Sequence, residues 1–215
     1  MRNNKQRTLM TISLLVALIL SIAAGSMGQF AAQCETVRAN TLRLHILAHS
    51  DDPADQQLKL RVRDRILAES GRLFAGGATA EEAAAIADSH LAEIEAVVRD
   101  ELEKQGSSQT VRAERVRMYF TTRRYDGFTL PAGMYEAVRI TLGEGKGHNW
   151  WCVLFPPLCL GASAESLEVF GDAADLVADS GRYALRFKCV EWFEGIRQAL
   201  AGSDGAREAE PAGGS

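Results

Sequence analysis

Residues 143–147 read Gly-Glu-Gly-Lys-Gly. Glycines at this spacing let backbone N–H groups crowd an anion, and Lys146 adds the charge that a phosphate site needs. The frame is wrong for a P-loop, which places four residues between its first glycine and a Gly-Lys pair, follows the lysine with Ser or Thr, and opens a helix. Here Gly147 follows Lys146, and Trp150 opens a strand-like apolar run, so a mobile connector is expected. His45 and His49 stand four apart, which on a helix would aim two imidazoles at one zinc ion. On a strand the same spacing spans roughly 13 Å at about 3.3 Å per residue, too far for one metal. Both are expected as partly exposed polar-face histidines, and no metal or cofactor is expected. His148 and Cys152 could be cast as base and nucleophile of a thiol hydrolase, but a strand separates them and no orienting third group is evident. A serine nucleophile elbow and a metalloprotease helix motif are both missing from the sequence.

Four cysteines allow three full pairings. Proximity favours Cys152 with Cys159. Their Cα atoms would have to approach to about 5.5 Å, so the chain must double back around Pro156-Pro157. Cys189 is expected as a buried thiol on a helix face. The other residues suited to function are His148, Asn149, Trp150, Trp151, Phe155, Pro156 and Pro157, a block in which large aromatic area sits beside rigid prolines. Such a block suits a protein interface or a core, and adjacent tryptophans on a strand must face opposite ways, so one is expected at the surface.

Several elements must position these residues. Leu42, Leu44, Ile46 and Ala48 alternate with Arg43, His45 and Leu47, the pattern of a half-buried strand. Ser50-Asp51-Asp52-Pro53 ends it and starts a helix, with Pro53 at the first position and Asp55 near the positive end of the dipole. Its stripe is Leu58, Val62, Ile66 and Phe74. After Gly76-Gly77, a Thr79/Glu82 capping box opens one long amphipathic helix running to about Gly106. Val116, Met118 and Phe120 mark a second strand, Val138, Ile140 and Leu142 a third, and 150–155 a fourth. A strand over Tyr183–Phe187 and a short helix carrying Cys189, Phe193, Ile196 and Leu200 complete the pattern. The expected class is α+β: a single domain with a mixed or antiparallel sheet and amphipathic helices packed on it.

Residues 1–32 stand apart, with basic Arg2, Lys5 and Arg7 followed by an uncharged run from Leu9 to Ala24. This is an export signal or N-terminal membrane anchor, with cleavage points offered at Ala23, Ala24, Gly25, Ala31 and Ala32. Gln33 before Cys34 argues against a lipoprotein. The domain is assigned to 33–200, and the small, polar segment 201–215 is expected to be disordered. Removing 1–32 takes three of the 24 Lys and Arg and none of the 28 Asp and Glu, leaving a net charge of −7. That argues against a nucleic-acid partner, since phosphate contacts need clustered positive charge.

Three collinear stretches resemble the stage II sporulation protein R family of endospore-forming bacteria. They are Arg43-Leu44-His45-Ile46-Leu47-Ala48-His49-Ser50-Asp51 leading into Asp55-Gln56-Gln57-Leu58-Lys59 with Val62-Arg63-Asp64, then Pro131-Ala132-Gly133-Met134-Tyr135-Glu136-Ala137, then Gly143 to Cys159. The resemblance spans about residues 40–200 and implies a signalling protein, not an enzyme. Such proteins are made in the forespore and exported to the space between the two membranes of the sporangium. There they trigger a membrane-embedded aspartic protease that removes the pro-segment of the mother-cell sigma factor E. His49 departs from the Asn that the family favours, the C-terminal tail has no counterpart, and the resemblance carries over no catalytic residue.

Overall fold

The computed structural model describes residues 2–74, 76–125, 127–158, 164–178, 183, 186–192 and 195. Helix α1, Arg2–Ala39, leads into β1, Leu42–Leu47, then α2, Pro53–Ala68, the single turn α3, Ser70–Leu73, and α4, Ala80–Ser89, and α5, Leu91–Lys104. There follow β2, Val111–Phe120, a small hairpin of β3, Arg123–Tyr125, and β4, Phe128–Leu130, then β5, Gly133–Leu142, and β6, Asn149–Phe155. The short helices α6, Ala164–Glu168, and α7, Ala174–Ala178, close the described part. The class is α+β, as expected.

The main sheet has the order β2-β5-β1-β6, with β1 parallel to β5 and the other two pairings antiparallel. The sheet is therefore mixed, and β1 lies inside it. Leu42, Leu44 and Ile46 join Val138, Ile140, Leu142 and Cys152 under α2, α4 and α5, against Val62, Ile66, Ala84, Ala87, Ile94 and Val98. Burial of these side chains drives the assembly at about 25 cal/mol per Å² of apolar surface. The opposite face carries Arg43 and His45, which are buried too, at 0% and 3% exposure. The strand expected to be half-buried is thus enclosed on both faces, because the hairpin and the end of α1 cover what the alternation left polar.

Local signals explain most boundaries. Pro53 takes the first turn of α2, but Asp52 makes no side-chain cap; the Ser50 hydroxyl instead accepts from the Asp52 N–H and donates to Asp55. Thr79 does cap α4, accepting from the Glu82 N–H at 3.2 Å, while the Glu82 carboxylate reaches back to the Ala78 N–H. The long helix expected beyond it is two, broken at His90, whose φ of −104° and ψ of 8° leave the α region. The imidazole contacts the Ile86 carbonyl at 2.9 Å, so a side chain competes with the helical ladder there. The predicted strand over Tyr183–Phe187 is helical at 183 and at 186–192, and Cys189 is exposed, not buried. Phe193, Ile196, Leu200 and the tail 201–215 lie outside the described residues.

Helix α1 does double duty. Its window within Leu9–Ala39 has a mean hydropathy of 2.2 and is unburied, long and apolar enough to cross a membrane by length and composition. Its last turns pack onto the domain, with Phe30, Cys34 and Val37 in a second core with Phe128, Leu130, Val153, Phe170 and Val177. The boundary drawn at 32/33 falls inside this helix. Arg38 anchors its end, bonding Glu35 and donating to the Ala132 carbonyl at 2.8 Å. Gly133, at φ +147°, lies where any Cβ would strike the Arg38 side chain, which is why that turn takes glycine.

Candidate functional site

The first and last of the three distinctive stretches meet at one end of the sheet. β1 leads into Ala48-His49-Ser50-Asp51, and the β5–β6 loop folds onto that segment: the Lys146 N–H donates to the His49 carbonyl and the Gly147 N–H to the Ala48 carbonyl, at 3.1 and 3.0 Å. The His49 imidazole accepts from the Glu144 N–H at 2.9 Å. Gly143 and Gly145 hold φ of +54° and +63°, and a Cβ on Gly147 would run into the Ser50 carbonyl. The glycines allow close backbone approach, so the loop is a fitted part and not the mobile connector expected.

Asp51, just before α2, and Lys59 within it complete the clasp. Asp51 accepts from the His148 N–H at 2.6 Å and also meets its ring Nδ1. Lys59, 5% exposed, donates to the His148 carbonyl at 2.9 Å and to Gln56 Oε1 at 2.6 Å. The hydrogen bond from the His148 backbone holds the Asp51 carboxyl below its usual range, and desolvation pulls Lys59 down. The Ser50 hydroxyl holds Asp55 low as well, and Gln109 reaches the same carboxylate at 2.6 Å.

The face of the sheet away from α2, α4 and α5 is built differently. The Arg43 guanidinium lies 4.0 Å from the Phe120 ring centroid and 5.1 Å from that of Tyr135, and it donates to the Tyr125 hydroxyl. His45 stacks on Trp151, Phe120 meets Trp151 edge to face at 4.7 Å, and Arg123 stands 5.8 Å above Trp151. Burial pushes His45 down to about 3, against the pull of the Asn149 side chain. It pushes the Tyr135 phenol up; that hydroxyl donates to the Pro131 carbonyl at 2.6 Å. Each desolvated cation–π contact contributes about 2 kcal/mol, whereas burying a guanidinium costs several, so the rings offset only part of that cost.

The block His148 to Pro157 is dispersed over this architecture. His148 and Pro157 are exposed, Pro156 is buried, and Phe155 is half-buried against the helix-side core. Trp150 faces the helices beneath Arg63, 5.4 Å away, and Trp151 the other side, so the predicted opposition of the two rings is present. Neither is at the surface; both are half-buried. Cys152 is disulfide-bonded, Cys34 and Cys189 are not, and Cys159, its expected partner, lies outside the described residues. The sulfur that a thiol hydrolase would use is thus already committed. His45 and His49 serve separate contacts.

Sequence spacing gave little hint of Arg43, Lys59 and Asp51 as site residues. The available signal was an arginine and a histidine inside a strand that is otherwise apolar.

The family model for stage II sporulation protein R matches residues 38–165, from the last turn of α1 to the start of α6. Stage II sporulation protein R of Bacillus subtilis (strain 168) is 45% identical over 118 residues, covering 55% of this chain and 53% of that protein, so the match spans about half the relative's length. No solved structure matches. With more than half of its length matched, this chain belongs to the stage II sporulation protein R family.

Proposed function

We propose that this sporulation protein is an exported intercellular signal that activates the membrane-embedded aspartic protease processing the mother-cell sigma factor E precursor. The observation that carries the reading is the family match laid over the clasp, since the matched segment is the one that fixes the Gly143–His148 loop against Ser50–Lys59. A pre-ordered loop suits recognition because little entropy is lost when a partner binds it. Apolar α1 suits export or anchoring on the outer side of the membrane, between forespore and mother cell. A ligand of this kind acts by binding the active state of its target more tightly than the inactive one.

The contact surface runs from Gly143 to Pro157, with Glu144, Lys146, His148 and Pro157 as its exposed members. The test is to add the purified full chain to membranes holding the protease and its sigma substrate. Cleavage of the pro-segment is expected, and its loss with His148→Ala in a protein of unchanged stability. No cleavage with a protease that is otherwise competent would overturn the proposal.

A further inference from the structure

Seven of the nine side-chain atoms that are buried without a hydrogen-bond partner among the described residues lie on one face of the sheet or in the segment crossing it. They are Arg43 Nε and Nη1, the hydroxyls of Thr122 and Thr129, and the ring nitrogens of His45 with Asn149 Oδ1, of which the last two groups draw on each other without reaching bonding geometry. Native interiors hold few such groups, and a cluster of them marks a missing partner. The helices cover the other face. This one is covered by the end of α1 and the β3–β4 hairpin.

Charge identifies the missing partner. Arg43 is fully buried and Arg123 half-buried, and neither has a carboxylate within ion-pair distance among the described residues. Arg139, on the same face, is already satisfied by Glu114 at 2.8 Å. His45 is neutral, so it neither repels a cation nor supplies an anion. What stands in for a counter-ion at Arg43 is the Tyr125 hydroxyl. Tyr125 belongs to β3, a strand of three residues paired with another of three, and so short a ribbon has little stability of its own. The rim continues into half-buried Val116, Met118 and Trp151, an apolar border that a lone small anion would leave unused.

We propose that this face is an acceptor site for an acidic peptide segment of a partner protein, one carboxylate replacing Tyr125 in the Arg43 fork and adjoining apolar side chains lying on the half-buried rim of Trp151, Met118 and Val116. A bidentate carboxylate matches the planar guanidinium, which the phenol satisfies at one nitrogen only. The inference concerns the chemistry of the face and holds whichever protein supplies the peptide, so it stands or falls independently of protease activation.

The test uses the full chain in detergent micelles. It is titrated calorimetrically with a short blocked peptide carrying Glu between two Phe, and with the same peptide carrying Gln. The Glu peptide is expected to bind at least about tenfold more tightly, a difference set by the desolvated charge pair. Arg43→Gln should erase that ratio. Tyr125→Phe keeps the ring while releasing the guanidinium, and should tighten the Glu peptide without changing the Gln one; it carries the test if Arg43→Gln does not fold. Equal affinity for the two peptides, no binding of either, or weaker Glu binding by Tyr125→Phe would each overturn the site.

Discussion

The imidazole of His45 lies flat on the indole of Trp151, with ring centroids 3.9 Å apart and an interplanar angle of 12°. The two residues are register partners on β1 and β6, more than a hundred positions apart in sequence. Their stacking is the point where the N-terminal and C-terminal halves of the distinctive sequence close on each other.

This stack predicts a pH dependence. The folded-state value of His45, about 3, lies below its unfolded value of 6.5, so the unfolded chain binds the extra proton first. The contribution is complete above pH 6.5 and is lost as pH falls toward 3, with a limiting slope of about 1.4 kcal/mol per unit. Urea midpoints at pH 7 and pH 5 should differ by about 2 kcal/mol in unfolding free energy, and His45→Gln should flatten most of the difference. A wild-type curve that is flat between those pH values refutes the assignment.

Gly147→Ala should destabilise by about 2 kcal/mol, because the added methyl meets the Ser50 carbonyl, a backbone atom in the bend between β1 and α2. Gly71→Ala, in α3 with open space around it, should be neutral or slightly stabilising. Equal effects in thermal melts would mean that the loop yields.

Lys59→Met tests the clasp itself. Removing the ammonium leaves the His148 carbonyl and Gln56 Oε1 without their donor, a loss of about 1–3 kcal/mol. Amide exchange at Lys146 and Gly147 should quicken in the variant. A gain in stability with unchanged exchange would show instead that Lys59 is only a desolvation burden.

The cysteines should react unequally. In the native protein without reductant, a thiol reagent should modify Cys189 at once and Cys34 only after denaturation, since Cys34 has no exposed surface. Cys189→Ser should abolish the fast phase. Fast labelling that persists in this variant would show that the α1 docking opens readily.

Replacing either tryptophan tests stability before it tests recognition. Trp150 packs under the helices and Trp151 on the Arg43 side, so each change to Ala should cost about 3 kcal/mol or more. If urea titration shows no loss, the rings are dispensable to the core and free to serve an interface.

Residues whose neighbours are near in sequence were legible. The Leu42/Leu44/Ile46 alternation placed β1, Thr79 announced α4, and Pro53 announced α2. What escaped depends on distant partners. Arg43 and His45 read as a polar face because the rings that bury them come from Phe120, Tyr125, Tyr135 and Trp151. Gly143 to Gly147 read as slack for a related reason. Glycine signals permissive backbone, and only the three-dimensional approach of Ser50 and His49 shows that the freedom is consumed. His90 hid the break between α4 and α5 because the apolar spacing runs through it uninterrupted.

Helix α1 crosses the segment that offers export cleavage points, and Phe30 within it is 1% exposed, ringed by Tyr183 and Phe187. A cut after Ala23, Ala24 or Gly25 would spare that plug, whereas one after Ala31 or Ala32 would pull it out at about 3–5 kcal/mol. The position of any cut within this one helix thus decides whether the second core keeps its aromatic plug.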